Sequence, residues 1–168
     1  MYKKIFLFIS ITLLTLTSCD KRDTKPVYNL SKTTSGVISV PYEDIGGVKI
    51  IPVKLNGITM NMIYDTGCSG IHLSLNEVQT LAKNGKLDAS DILDASYSTI
   101  ADGSIVENGT ILIKRIEIGG KDGIVLEGKK ASVALNQEAP ILLGNSVLDE
   151  LASVEVDNIA KTINFNKK

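Results

Sequence analysis

Two segments with alternating apolar residues, separated by a turn signal, predict a β-hairpin in this chain. Residues 58–64 alternate apolar side chains with mostly polar ones, and residues 48–55 alternate in the same way near their end. Asn56-Gly57 separates the two runs, and this dipeptide strongly favours a two-residue hairpin turn. The chain has no Trp, so Ile, Val and Leu must build the core, and β-branched residues favour strands. The sequence therefore predicts a sheet-based fold.

Helical signals are few. Ser74 and Glu77 have the spacing of a capping box, the apolar residues of 75–82 share one helical face, and Gly85 is a suitable stop. Residues 147–151 predict a second, short helix. Further strands are predicted at 97–100, 105–106, 110–118, 123–126, 131–135, 141–143, 154–156 and 162–165. The fold class is thus mainly β, a single-domain closed β-barrel with one or two short helices.

The N-terminal residues have the pattern of an export signal. Lys3 and Lys4 precede an apolar stretch at 5–16, which is short for a helix that spans a bilayer. We therefore expect residues 1–18 to be a signal peptide and not part of the fold.

The segment from Leu16 to Cys19 resembles a bacterial lipobox, in which the cysteine is lipidated (palmitate) and becomes the mature N-terminus. The alternative is an ordinary signal peptide with a chance cysteine. Residues 19–41 are polar and predict a tether, which leaves 42–168 as the domain. The lipobox reading implies a lipid-anchored protein of the bacterial cell envelope, on the periplasmic face or the cell surface.

Charge and ligand types exclude several functions. The formal net charge is −1 and there is no basic block, so nucleic-acid binding has no electrostatic support. His72 is the only histidine. Once Cys19 is assigned to lipid, Cys68 is the only remaining thiol, which leaves no disulfide and no metal-ligand set. We expect no metal and no cofactor.

Two separated motifs carry the chemistry. Asp65-Thr66-Gly67 directly follows the apolar strand at 58–64, and Leu142-Leu143-Gly144 comes later, just before the second predicted helix. This combination resembles the retropepsin-like aspartic protease family, over roughly residues 46–165. The resemblance implies the closed barrel of one acid-protease half. It also implies an aspartic endopeptidase that cleaves peptide or protein substrates.

The resemblance assigns a role to each motif residue. Asp65 is the catalytic carboxylate, and Thr66 holds two catalytic loops together through its hydroxyl. Gly67 permits the sharp turn. The bracing segment of the family corresponds to Leu142, Leu143 and Gly144. A flap that closes over substrate corresponds to Asp102, Gly103 and Ser104; the alternative for these three residues is an ordinary exposed turn.

One catalytic carboxylate is not enough for this mechanism. Peptide hydrolysis without a metal or a covalent nucleophile needs one group that activates water and another that protonates the carbonyl oxygen. Two carboxylates about 3 Å apart do both, because they share one proton. No other aspartate in the sequence has the Asp65 setting. The protease interpretation therefore requires a homodimer in which each subunit donates Asp65.

The residues after the motif leave alternatives open. Cys68 is either a small buried residue, or a weak donor toward Asp65, or part of the substrate pocket together with Ser69. A Cys68–His72 protease dyad is a further alternative that we do not favour, because Asp65-Thr66-Gly67 already explains the segment. For the whole chain, the main alternative to the enzyme is a non-catalytic lipoprotein that binds a peptide or a partner in the same groove. The third interpretation is a lipoprotein with a purely structural role.

Overall fold

The computed structural model describes residues 36–168. The predicted signal peptide, Cys19 and most of the predicted tether lie outside these residues. The strands are β1 (Val37–Pro41), β2 (Glu43–Ile45), β3 (Val48–Leu55), β4 (Ile58–Tyr64), β5 (Ile71–Ser74), β6 (Ile92–Thr99), β7 (Ile105–Ile118), β8 (Ile124–Ala134), β9 (Leu142–Leu143), β10 (Ser153–Asp157) and β11 (Thr162–Asn166). The helices are α1 (Leu75–Lys83), α2 (Asn145–Leu148) and a 3-10 turn at Ala89–Asp91.

The strands form two sheets around one core. An eight-stranded sheet has the order β2-β3-β4-β9-β5-β8-β7-β6, and an additional β3–β7 pairing closes it into a barrel-like ring. A three-stranded sheet has the order β1-β11-β10. The prediction of a mainly β, single-domain barrel with short helices is confirmed.

The predicted hairpin joins β3 and β4. Asn56 has φ 49° and Gly57 has φ 88°, the pair of positive values that a type I′ turn requires. Leu55 pairs with Ile58 directly across the turn. This register sends one face of both strands into the core, which includes Ile51, Val53, Leu55, Met60 and Met62.

The predicted helix α1 begins at its capping box. The Ser74 hydroxyl accepts a hydrogen bond from the Asn76 N–H at 3.1 Å, and the Ser74 N–H donates to the Glu77 carboxylate at 3.1 Å. Leu81 is buried against the barrel, and Gly85 follows the helix with φ 64°. The start and the stop of α1 agree with the sequence pattern. Of its predicted apolar face, Leu81 is buried and Val78 packs partly buried against the core, whereas Ala82 is exposed.

The predicted tether is too long at its C-terminal end. Val37–Pro41 is strand β1 and pairs antiparallel with β11, so the domain begins at residue 37 and not at residue 42. Residues 19–41 are polar on average, but Ile38 and Val40 are apolar. Both side chains lie on the same face of β1 and are buried. Two alternating side chains are too few to predict a strand from sequence.

Two further strands are longer than predicted. Residues 105–118 form one continuous strand, because Gly109 packs into the sheet opposite Val133 and does not end it. Residues 124–134 also form one strand. Gly128, with φ 65°, lies inside β8, and the register with β7 is the same on both sides of it. Both glycines suggest the end of a strand when only the sequence is considered, but here they lie within paired strands.

Candidate active site

Asp65 stands at the end of β4, where the strand passes into a tight turn. Its N–H donates to the Leu143 carbonyl at 3.1 Å, which extends the parallel pairing of β4 with β9. The Gly67 N–H then donates to the Asp65 carboxylate at 2.8 Å, and the Cys68 N–H donates to the Asp65 carbonyl at 3.3 Å. The carboxylate is therefore oriented by the backbone of its own loop, and it remains only half-buried.

The predicted bracing segment lies against this loop. Leu143 is fully buried and pairs with Tyr64 on one side and with Ile71 on the other. Gly144 follows at a position that has no room for a side chain. A Cβ there would lie 2.3 Å from the Cys68 carbonyl oxygen and 2.5 Å from that of Gly70. Glycine at 144 thus permits the loop and the start of α2 to meet backbone to backbone.

Helix α2 completes the brace through residues that the sequence reasoning missed. The Asn145 N–H donates to the Cys68 carbonyl at 2.9 Å, and the Ser146 N–H donates to the Ser69 carbonyl at 3.0 Å. The Asn145 side-chain amide donates to the Thr66 carbonyl at 3.0 Å. The only sequence signal for Asn145 was its place directly after Leu-Leu-Gly. Two bonds from Asn145 and one from Ser146 therefore hold the loop against the start of α2.

The Cys68 thiol does not bond to the Asp65 carboxylate. It donates to the Gly70 carbonyl at 3.2 Å, so the hypothesis of a thiol donor toward Asp65 is wrong in this structure. The His72 ring bonds through Nδ1 to the Ser132 hydroxyl at 2.8 Å, and burial lowers the pKa of this histidine. Each side chain of the imagined Cys68–His72 dyad therefore has a different partner.

The predicted flap residues lie at the exposed turn between β6 and β7. The Ser104 N–H and hydroxyl both donate to the Asp102 carboxylate, at 2.9 Å and 2.7 Å. These bonds lower the pKa of Asp102, the hydroxyl bond most. Gly103 has φ 84°, and its N–H donates to the Ile100 carbonyl at 2.9 Å. The Asp102 carboxylate thus stabilises its own turn.

A cleft of about 500 Å³ opens beside Asp65. It is lined by Gly47, Val48, Lys49, Ile63, Tyr64, Asp65, Val156 and Asn158. Burial raises the pKa of Tyr64, which keeps that phenol neutral. Asp65 therefore shares the cleft with residues at the start of β3 and around the end of β10. The sequence did not indicate that these residues belong to the site. Cys68 and Ser69, the predicted pocket residues, do not line this cleft.

The described residues contain neither a group of metal-ligating side chains nor a helix that could span a membrane. Between residues 36 and 168, no three His, Cys, Asp or Glu side chains are grouped so that they could hold a metal ion. None of the helices in that range is long and apolar enough to cross a membrane.

Comparison with known proteins places this geometry in a family. A family model described as gag-polyprotein putative aspartyl protease matches residues 51–150, a range that contains both Asp65-Thr66-Gly67 and Leu142-Leu143-Gly144. The chain belongs to this aspartyl protease family. The match covers most of the barrel and both motifs of the site, so the family resemblance seen in the sequence is confirmed.

The fold of this aspartyl protease family member also resembles solved structures. One of them is the crystal structure of a retropepsin-like aspartic protease from Rickettsia conorii, with a TM-score of 0.55 and 21% sequence identity. The similarity covers 79% of this chain and 90% of that one, and it establishes the retropepsin-like fold. No curated protein matches the chain.

Proposed function

We propose that the chain is an aspartic endopeptidase whose active site is completed by a homodimer, with Asp65 contributed by each subunit. The aspartyl protease family and the retropepsin-like fold support a hydrolase of peptide bonds. The observation that carries the proposal is the setting of Asp65. Its carboxylate is oriented by the Gly67 N–H at the end of strand β4, and it lines a cleft.

The chemistry follows from two carboxylates that share one proton. The ionised carboxylate takes a proton from a water molecule, which attacks the carbonyl carbon of the scissile peptide. The protonated carboxylate donates its proton to the carbonyl oxygen. Collapse of the tetrahedral intermediate then breaks the C–N bond, and the leaving amine takes a proton from the dyad. The two pKa values that control this cycle belong to the pair and not to one aspartate.

The homodimer supplies what one chain lacks. Asp65 is the only carboxylate on the cleft within the described residues. The side chain of Thr66 is exposed beside it, where it is free to bond to the matching loop of a second copy. A peptide substrate would lie extended across both subunits, beneath the two β6–β7 hairpins that we assign as flaps.

Membrane anchoring completes the proposal. Lipidation of Cys19 would hold the domain at the bacterial cell envelope. Two anchored copies share a thin layer of volume, so confinement raises their effective concentration and favours the dimer. Mass spectrometry of the mature N-terminus tests this part. A diacylated or triacylated Cys19 supports it, and an unmodified N-terminus elsewhere contradicts it.

Peptide cleavage tests the enzyme itself. The full chain in neutral detergent is incubated with a diverse peptide mixture between about pH 4 and about pH 7, the range in which such dyads are partly protonated. Asp65→Asn is the matched control, because it keeps the shape of the side chain and removes the carboxylate. Cleavage that disappears in the Asn variant supports the protease. If the folded, dimeric wild type cleaves nothing, the non-catalytic peptide-binding interpretation replaces it.

A further inference from the structure

The cleft beside Asp65 contains one positive charge. Most of its side-chain lining is apolar, from Val48, Ile63, Tyr64 and Val156. Lys49 is the only cationic side chain in the lining, and it lies near the start of β3. Because the walls are mainly apolar, a charge here acts in a medium less polar than bulk water and is screened less.

A buried tyrosine holds Lys49 at this place. The Lys49 ammonium lies 5.4 Å from the centre of the Tyr42 ring, within cation–π range. The ring is itself fixed, because the Tyr42 hydroxyl donates to the Asn158 side chain at 3.0 Å and the Tyr42 N–H donates to the Lys161 carbonyl at 3.0 Å. Asn158 also lines the cleft. Tyr42 thus joins the lysine to the cleft wall.

Lys49 has no salt bridge among residues 36–168. Asp44 is opposite Lys49 in the β2–β3 register, but its carboxylate accepts from the Gly47 N–H at 3.0 Å and lies 4.0 Å from Lys161. Within the described part of the chain, no carboxylate lies within 4.0 Å of the Lys49 ammonium. Lys161 is also over the Tyr42 ring, at 5.7 Å, and it is Lys161, not Lys49, that lies at 4.0 Å from the Asp44 carboxylate.

We propose that Lys49 is a specificity-determining residue that makes the cleft select peptides with an Asp or Glu side chain close to the scissile bond. An ammonium has three donors, and contact with an aromatic face leaves donors free for a carboxylate. A Lys or Arg side chain of a substrate would be repelled at the same place. The inference rests on the proposed protease function, since it names the substrate class of that site.

Cleavage profiles of charge variants test the proposal. The full chain is given a random decapeptide mixture, and the cut sites are read by mass spectrometry. We expect Asp or Glu at one fixed position relative to the cut, favoured over Asn or Gln by about tenfold, the scale of one charge-assisted hydrogen bond. Lys49→Met, which keeps most of the apolar stem, should abolish this preference. Lys49→Glu should replace it with a preference for Lys or Arg.

Lys121→Glu is the matched control, because it makes the same charge change in the exposed β7–β8 turn. It should leave the profile unchanged. A wild-type enzyme that cleaves but shows the same profile in both Lys49 variants would overturn the inference and leave the proposed protease intact.

A binding experiment separates this inference from the protease proposal. Full-length Asp65→Asn protein is immobilised and exposed to the same decapeptide mixture, so no cleavage is required. Enrichment of peptides with Asp or Glu that is lost when Lys49→Glu is added supports the inference, even if the wild type proves inactive. Absence of such enrichment overturns it.

Discussion

The Asp65 loop and the β6–β7 hairpin tip are held in different ways. The loop is fixed by long-range backbone contacts from β9 and α2, through Leu143, Asn145 and Ser146. The hairpin tip is held only by local bonds among residues 100–104, and its neighbours Ile105 and Tyr97 are 72% and 70% exposed. The difference indicates a rigid Asp65 loop and a less constrained β6–β7 hairpin tip, and segments that move in proteins are generally of the less constrained kind.

The largest expected effect is from alanine at Gly144. The new Cβ would lie 2.3 Å from the Cys68 carbonyl, so the loop or α2 must move, at a cost of about 3 kcal/mol or more. Peptidase activity should disappear together with part of the free energy of unfolding in urea. Gly103→Ala at the hairpin tip meets no atom and should cost only about 1 kcal/mol, from its positive φ. Equal losses of unfolding free energy in the two variants would contradict the difference between the Asp65 loop and the hairpin tip.

Asn145→Ala should have the next largest effect. It removes the amide bond to the Thr66 carbonyl but leaves the backbone bonds of α2, so we expect a loss of about 1 kcal/mol of stability. Because Asn145 bonds to the loop and does not line the cleft, we expect kcat to fall while KM changes little. The control is Asn166→Ala, which removes a side-chain bond to Ser153 in the other sheet. If both variants lower kcat equally, general stability and not loop position is responsible.

A smaller effect on stability, but a selective effect on substrate binding, is expected from Ile105→Ser. The side chain is largely exposed, so the free energy of unfolding should change by about 0.5 kcal/mol or less. If the hairpin is the flap, KM should rise because an apolar contact with substrate is lost. Val125→Ser, at an exposed position of β8, is the comparison and should leave KM unchanged. An unchanged KM in Ile105→Ser would indicate that the hairpin tip is an ordinary exposed turn and not a flap.

The smallest predicted effect is a pH dependence of stability, which arises from Asp91 at the base of the β6–β7 hairpin. The side chain of Asp91 is 3% exposed and accepts from the Asp88 N–H at 2.8 Å; Lys114 of β7 lies 2.9 Å away. The backbone bond and Lys114 lower the pKa of Asp91. A carboxyl group with a lowered folded-state pKa stabilises above its unfolded pKa of about 4, and this contribution is lost as pH falls through the folded-state pKa.

Urea unfolding at neutral pH and in acid measures this contribution. Wild type should lose more stability on acidification than Asp91→Asn, which has no charge to lose at this site. An identical pH dependence in the two proteins would show that the Asp91 cluster does not contribute.

Local patterns in the sequence predicted the parts of the site that depend on neighbours in the chain. Asn56-Gly57 fixed the hairpin that delivers Asp65, and Ser74 with Glu77 fixed the start of α1, because turn and cap chemistry act over a few residues. The lining of the cleft could not be predicted in this way. Lys49, Asp65 and Asn158 meet only when β3, β4 and the β10–β11 turn pack together, and no spacing in the sequence records that meeting.

Subunit mixing tests the proposed homodimer, because the shared dyad requires one Asp65 from each of two copies. Wild-type protein at constant concentration is mixed and equilibrated with increasing amounts of Asp65→Asn protein. We expect peptidase activity to fall as the inactive copies capture wild-type subunits into mixed dimers, which have only one Asp65 carboxylate. Activity that stays constant per wild-type chain, under conditions in which mixed dimers are detected, would contradict the shared dyad.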